Sequence, residues 1–225
     1  MRWAALTRFA SAAAACLPLT AAQCVNPEPT SDAALVTFAA FPDTVTAGQQ
    51  FTMEFAGPIA PNTCGTLDSA YAEVSDSTIV LAGVRNLFRA RCADQRVSFY
   101  EVNLITIDSP GVREVVNAAG RSFGTLMVAD SGSQTDFIGR GGGTVREAGP
   151  CLVFGPGWVG TQRIFSLQNA PDPVRNASED QIVNLRGRFR GFDRCGQWGS
   201  RPVIQVDTAW VSDSTTDDYY SGNQQ

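Results

Sequence analysis

Ile138-Gly139-Arg140-Gly141-Gly142-Gly143-Thr144 divides this chain of 225 residues. Three consecutive glycines fit poorly inside a strand or helix, because glycine loses more backbone entropy on ordering than any other residue. On each side lies a β-rich half with its own cysteine pair, Cys64 and Cys92 before it, Cys151 and Cys195 after it. This reading makes residues 131–143 a Gly-rich connector between two small β-domains, 35–130 and 144–212.

Working outward, strand signals follow one another at short spacing in the first half. Leu35-Val36-Thr37-Phe38 comes first, and Phe51-Thr52-Met53-Glu54-Phe55 alternates apolar and polar positions strictly. Further segments are 71–74, 78–81 and 97–107, and 112–117 with 122–128 forms a hairpin around Ala118-Ala119-Gly120-Arg121. About seven short strands separated by Gly, Pro, Asn and Asp predict a β-sandwich. In the second half, five segments predict a small, partly open barrel: 144–146, 151–154, 163–167, 182–192 and 203–211. Residues 168–180, with Pro171 and Pro173, read as a long loop in which Ser178 and Gln181 are placed to cap one helical turn. The fold class is therefore all-β.

The opening Pro42-Asp43-Thr44-Val45-Thr46-Ala47-Gly48-Gln49-Gln50-Phe51 resembles the first strand and turn of bacterial Ig-like extracytoplasmic domains. Gly111-Val112-Arg113-Glu114-Val115-Val116 and Gly124-Thr125-Leu126-Met127-Val128 resemble their closing hairpin, although the tyrosine such strands often carry is missing. Gly149-Pro150-Cys151, Ile164-Phe165-Ser166-Leu167, Val183-Asn184-Leu185-Arg186-Gly187 and Cys195-Gly196 resemble small exported OB-like bacterial domains. These resemblances imply folds and no particular activity.

The N-terminus predicts export. Arg2 and Arg8 supply a positive segment, residues 9–19 are apolar, and Thr20-Ala21-Ala22 offers the small residues needed for cleavage before Gln23. Residues 1–22 are then a signal peptide and 23–34, with Pro27 and Pro29, a linker. Cleavage leaves 15 arginines against 22 acids, a net charge of −7. In the periplasm or outside the cell, the natural disulfides fall within each half, Cys64 with Cys92 and Cys151 with Cys195. Cys24 is left over, either as a thiol or as the site of a lipid anchor that would make the chain a lipoprotein; Ala21-Ala22-Gln23 suits the lipid motif poorly.

All 17 basic residues are arginine, and histidine is absent. That removes the usual general base, the commonest metal ligand and every lysine nucleophile. The net charge argues against nonspecific binding of the whole chain to nucleic acid or anionic membrane. Gly120-Arg121-Ser122-Phe123-Gly124 matches a nucleophile elbow but has no histidine to take the serine proton. Gly155-Pro156-Gly157-Trp158-Val159-Gly160 matches a dinucleotide fingerprint but has no helix behind it. Val128-Ala129-Asp130-Ser131-Gly132-Ser133 resembles an aspartic-protease signature, whose chemistry requires a second carboxylate. No close cysteine pair suggests zinc, and Asp213, Asp217 and Asp218 lie in a polar tail, 213–225, read as disordered. No cofactor is expected.

One candidate remains. On a strand over 182–192, Arg186, Arg188 and Arg190 share a face, with Arg194 just beyond; Trp158 and Trp198 lie in loops, either as added stacking surfaces or as plugs of the barrel end. Arginine grips carboxylate, sulfate and phosphate bidentately. The expected function is that of an exported, non-enzymatic binding or envelope-structural protein, taking an anionic glycan or other envelope polymer on this strand. The alternative is a carboxylate-based hydrolase, aspartic-protease-like or a glycosidase, drawing two acids from Asp130, Asp207, Glu101 and Glu147.

Overall fold

A computed structural model describes residues 29–89, 91–132, 134–156 and 163–215. Residues 1–22, read as a signal peptide, Cys24, Trp158 and the residues beyond Thr215 lie outside the described residues. The described chain is all-β, with fourteen strands in two sheets, one turn of α-helix and one 3-10 turn. No described helix is long and apolar enough to cross a membrane.

Nine strands precede the glycine stretch: β1 (Thr30–Ala34), β2 (Phe38–Pro42), β3 (Thr44–Thr46), β4 (Gln50–Ala60), β5 (Gly65–Val74), β6 (Thr78–Leu87), β7 (Val97–Thr106), β8 (Gly111–Asn117) and β9 (Ser122–Ala129). Five strands follow: β10 (Phe137–Ala148), β11 (Cys151–Pro156), β12 (Phe165–Gln168), β13 (Gln181–Arg194) and β14 (Ser200–Thr215). Helix α1 (Asp172–Arg175) lies between β12 and β13, and the 3-10 turn Gly196–Trp198 between β13 and β14. One sheet runs β1-β6-β8-β9-β3, with β5 also on β6; the other runs β11-β12-β14-β13-β10-β2-β4-β7. In the second sheet β10 also pairs with β11, so β10 to β14 are linked in a circuit of pairings, β12 with β14 in parallel. Neither sheet as a whole is a closed barrel, because the larger one continues past that circuit through β2, β4 and β7.

The glycine stretch is therefore a strand and not a connector. It is the strand that joins the two halves into one sheet. Along one edge β10 pairs with β13, Ile138 opposite Arg188 through Gly143 opposite Val183. Its other edge is shared: Phe137 to Gly141 pair with β2, and Gly143 to Ala148 pair with β11. At the changeover the Gly142 amide donates to the Thr37 carbonyl at 2.7 Å, and Gly141 takes φ +124°, which a residue with a side chain rarely adopts.

The glycines are needed because neighbouring groups occupy the space of a side chain. A Cβ on Gly139 would lie 3.0 Å from the Phe38 ring, and one on Gly143 would lie 2.7 Å from the Phe154 ring and 2.3 Å from the Gly155 carbonyl. Across the pair, a Cβ on Gly187 would lie 2.5 Å from both the Gln205 carbonyl and Ile204. The entropy cost of ordering glycine is real, but close backbone and ring packing outweighs it here.

Strand β2 sits between two cores and is buried at all five positions. Its alternation sends Ala39 and Phe41 into a core with Met53, Phe55, Ile79, Leu81, Val115 and Leu126, which both sheets share. Phe38 and Ala40 point the other way, to Phe154, Phe165, Leu185 and Ile204. Phe38 meets Phe154 and Phe165 at centroid distances of 5.7 and 5.9 Å. Each fully buried aromatic or aliphatic side chain contributes about 1.5–3 kcal/mol, so a strand with phenylalanines on both faces binds the halves strongly.

Four other expectations change. Residues 30–34, read as linker, form β1 and pair with β6 from Thr30 opposite Leu87 to Ala34 opposite Gly83. Leu35, Val36 and Thr37, read as strand, form the crossing between β1 and β2. The helical turn falls at α1, while the Ser178 amide donates to the Gln181 side-chain oxygen without starting a helix. Residues 213–215, assigned to the tail, extend β14.

The cysteines pair as expected, Cys64 with Cys92 and Cys151 with Cys195, at Cα separations of 5.4 and 5.3 Å. Loops of 28 and 44 residues correspond to roughly 3.5–4 kcal/mol each on a chain-entropy view. Such bonds persist in an oxidising, exported setting.

Candidate functional site

The five-residue alternation of β13 places Arg186, Arg188 and Arg190 along one face, as its sequence predicts. The structure adds their partners. Arg190 pairs with Asp136 at 3.0 Å; Arg188 reaches Asp207 at 3.6 Å and Asp136 at 4.0 Å; Arg186 reaches Asp43 at 3.3 Å. Three arginines thus face three aspartates, and the middle of the strand is an ion-pair ladder, not an uncompensated positive surface. Arg194 ends β13 opposite Ser200 and is exposed. Trp198 is no free stacking platform: it packs on the cluster of Ala148, Val153, Ile164 and Cys195, with the Arg146 guanidinium 4.3 Å from its ring.

Positive charge accumulates at the Arg186 end. A cavity of about 500 Å³ opens there between the β8–β9 turn and the outer face of β10, β13 and β14. Among the described residues, Arg121, Arg140, Arg186 and Asp43 line it together with Asn184, Thr208 and Trp210. Its volume falls in the range of small-molecule sites, roughly 300–1,000 Å³.

Each arginine has a distinct setting. Arg140 is only 6% exposed. Its Nη1 donates to the Phe41 and Ile138 carbonyls, both at 3.0 Å, its Nη2 donates to Asp43, and its guanidinium lies 4.0 Å over the Phe41 ring. Burial draws this guanidinium down to about 10, against Asp43, which favours the charged form. Gly124 lies beside the Arg140 side chain at φ +113°, a backbone conformation that residues with side chains rarely adopt. Arg140 is therefore a fixed charge whose donors are committed within the protein.

Arg121 belongs to the β8–β9 turn, which Asn117 shapes: the Asn117 side-chain oxygen accepts from the amides of Ala119 and Arg121 at 3.0 and 2.9 Å. The same side chain donates to the Val36 carbonyl at 2.9 Å, anchoring the turn to the core. Arg121 then donates to the Asn184 side-chain oxygen at 2.6 Å. Asn184 and Arg186 sit two residues apart on β13, roughly 7 Å along the strand, and both line the cavity with Arg121. Opposite Asn184 and Arg186 in β14 stand Trp210 and Thr208. Trp210 is 56% exposed.

Sequence reasoning finds Arg186 but misses Arg121, Arg140, Asn184, Thr208 and Trp210. The alternation of 203–211 carries a partial signal, since it sets Thr208 and Trp210 on one face. Arg121 and Arg140 were hidden by being assigned to a turn and a connector.

The hydrolase candidates do not meet in this cavity. Asp130 follows β9, Glu101 lies in β7, Glu147 in β10, and Asp207 is paired with Arg188 on β14. None of the four lines the cavity, where Asp43 is the carboxylate among the described residues. The segment 120–124 is a hairpin turn entering β9, not a strand-turn-helix elbow. Among the described residues, no three His, Cys, Asp or Glu side chains gather to hold a metal. Comparisons with protein-family models, curated proteins and solved structures find no match for this chain.

Proposed function

We propose that the chain is an exported, non-enzymatic binding protein of the cell envelope that takes an anionic polymer along the β13 arginine face. In this reading an Ig-like sandwich, built on the β1-to-β9 region, carries an OB-like unit made of β10 to β14. The circuit of pairings among β10 to β14, with parallel β12 and β14 and a helical turn before β13, supports the OB-like assignment.

The observation that carries the function is the charge balance along β13. The ladder at Arg188 and Arg190 is neutral, whereas at the cavity end Arg140 and Arg186 share Asp43. In a chain with an acidic excess, two arginines sharing one carboxylate leave positive charge that favours an anion at this place. Asp43 shares its charge between Arg140 and Arg186, so an incoming anion competes for Arg186 and leaves Arg140 to hold Asp43.

The test is retention of the exported protein on immobilised heparin at low salt, with elution as salt rises. The slope of log affinity against log salt counts the charges matched. Retention that falls on replacing Arg186, Arg188 and Arg190 by Gln, with the thermal midpoint little changed, supports the reading. Absence of retention on heparin and on acidic glycans at low salt overturns it.

A further inference from the structure

We infer that the cavity walled by Asn184, Thr208 and Trp210 is a subsite for one uncharged 2-acetamido sugar ring, an N-acetylhexosamine unit in pyranose form. The inference does not use the charge of the polymer proposed above, because it breaks none of the protein's ion pairs.

The charges of the wall are already engaged. Arg140 donates to Asp43 and to the Phe41 and Ile138 carbonyls, Arg186 pairs with the same aspartate at 3.3 Å, and Arg121 donates to the Asn184 side-chain oxygen at 2.6 Å. That last bond fixes the amide. A guanidinium only donates, so the atom facing Arg121 is the oxygen, and Nδ2 is turned to the other side. Asn184 is 6% exposed, and its Nδ2 has no hydrogen-bond partner among the described residues. The atom still touches solvent, so it stands as a free donor in the wall of a cavity of about 500 Å³. A donor left without a partner in such a setting favours a ligand that brings an acceptor.

The rest of the wall selects the ring. In β14 Trp210 stands directly opposite Asn184 and is 56% exposed. An indole face takes the C–H side of a pyranose, an apolar body with a polar rim. Thr125 and Thr208 add hydroxyls that donate to and accept from the ring's own hydroxyl groups. The Asn184 donor calls for a carbonyl. A sugar hydroxyl accepting there must find another acceptor for its own proton, and Asp43 is held by Arg140 and Arg186; an acetamido oxygen accepts with no second partner. Other ligand classes fit less well. Strand β13 is paired on both edges at Asn184, with Gly142 and Trp210, so an extended peptide finds no free backbone edge beside this donor. Single-stranded nucleic acid needs cations that follow its phosphates, and the cavity's arginines are committed.

The test is calorimetric titration of the mature, oxidised chain with triacetylchitotriose. The comparison ligands are cellotriose, N-acetyl-trialanine amide and a trinucleotide. Triacetylchitotriose should bind roughly three- to tenfold tighter than cellotriose, which has the same ring and linkage without the acetamido group, and tighter than the other two. Its affinity should not change with salt, because no ion pair is made or broken. Asn184→Asp keeps an acceptor for Arg121 and removes Nδ2, so Tm holds while affinity for triacetylchitotriose falls roughly tenfold. Trp210→Ala, at an exposed position, lowers affinity for both trisaccharides with Tm unchanged, and Trp210→Phe recovers part of the loss. Equal binding of cellotriose, tighter binding of the peptide or the trinucleotide, or no heat with triacetylchitotriose overturns the inference. So does unaltered affinity in either Asn184→Asp or Trp210→Ala. Heparin retention is read separately: retention without triacetylchitotriose binding strikes the subsite and leaves the polymer reading standing, and the opposite pair of results does the reverse.

Discussion

Replacing Gly143 by alanine separates a packed strand from a flexible connector by the sign of its effect. In a connector, Gly→Ala stabilises by about 0.4–1 kcal/mol, because the unfolded chain loses freedom and the native chain loses nothing. In β10 the added Cβ meets the Gly155 carbonyl at 2.3 Å and two Phe154 ring atoms at 2.7 Å. No left-handed backbone is involved, so the cost is steric. The pair β10–β11 must open by roughly 1 Å, or Phe154 must leave its place in the core, and overpacking of this kind costs about 1–3 kcal/mol. The upper end applies, since a backbone carbonyl yields less readily than a side chain. For a chain of this size that is a fall of roughly 6–12 °C in Tm. Urea and thermal unfolding under oxidising conditions, followed by far-UV circular dichroism, measure it. Adding Phe154→Leu relieves only the ring contact, so the double variant should show a favourable coupling of about 1 kcal/mol while remaining below wild type. A Tm for Gly143→Ala equal to or above wild type would refute this account of the glycines.

Further outcomes follow from particular side chains. Asn117→Ala removes three hydrogen bonds and strands the buried Val36 carbonyl, so chemical unfolding should show a loss of about 2–3 kcal/mol, with weakened heparin retention as Arg121 is released. Arg140→Met removes the bonds to the Phe41 and Ile138 carbonyls and its pairing with Asp43; a loss of about 2 kcal/mol is expected by the same assay. Tyr100 donates to Glu54, and burial first, then the Glu54 charge, pushes its phenol far above the usual value of 10.0. Because the folded phenol stays protonated where the unfolded one ionises, this group lowers stability as pH rises above 10, and ultraviolet titration should show Tyr100 ionising only with unfolding. Asp32 is held below 3.8 by the hydrogen bond from Arg85 and then by the Ala33 amide. Its contribution is present above that value and fades as pH falls through the lower folded pKa; since Asp32 is mostly exposed, Asp32→Asn costs under about 1 kcal/mol at neutral pH and removes this part of the acid dependence.

Local chemistry made much of the fold legible. Alternation in Phe51-Thr52-Met53-Glu54-Phe55 placed Phe51, Met53 and Phe55 in the core, as found. The hairpin at residues 118–121, the disulfide partners and the common face of Arg186, Arg188 and Arg190 were likewise local inferences. What escaped depends on distant partners. Glycine at 139 and 141 reads as flexibility until Phe38, about a hundred residues earlier, is known to lie against that strand. The arginine face reads as charged until Asp43, Asp136 and Asp207 arrive from three other segments. The cavity escaped for the same reason: Arg121, in the β8–β9 turn, meets Asn184 of β13 and Trp210 of β14 because β10 joins the two halves.

Native-state hydrogen exchange at β10 tests that junction most directly. The Gly142 amide bonds to the Thr37 carbonyl, and its neighbours along β10 are flanked by β13 on one edge and by β2 or β11 on the other. If β10 is the shared strand, its protected amides from Gly139 to Val145 should exchange only with global unfolding, at the same free energy as Met53 in β4 and Leu185 in β13. Rapid exchange through residues 139–145, with Met53 and Leu185 opening at different free energies, would mean two independent halves joined by a flexible connector.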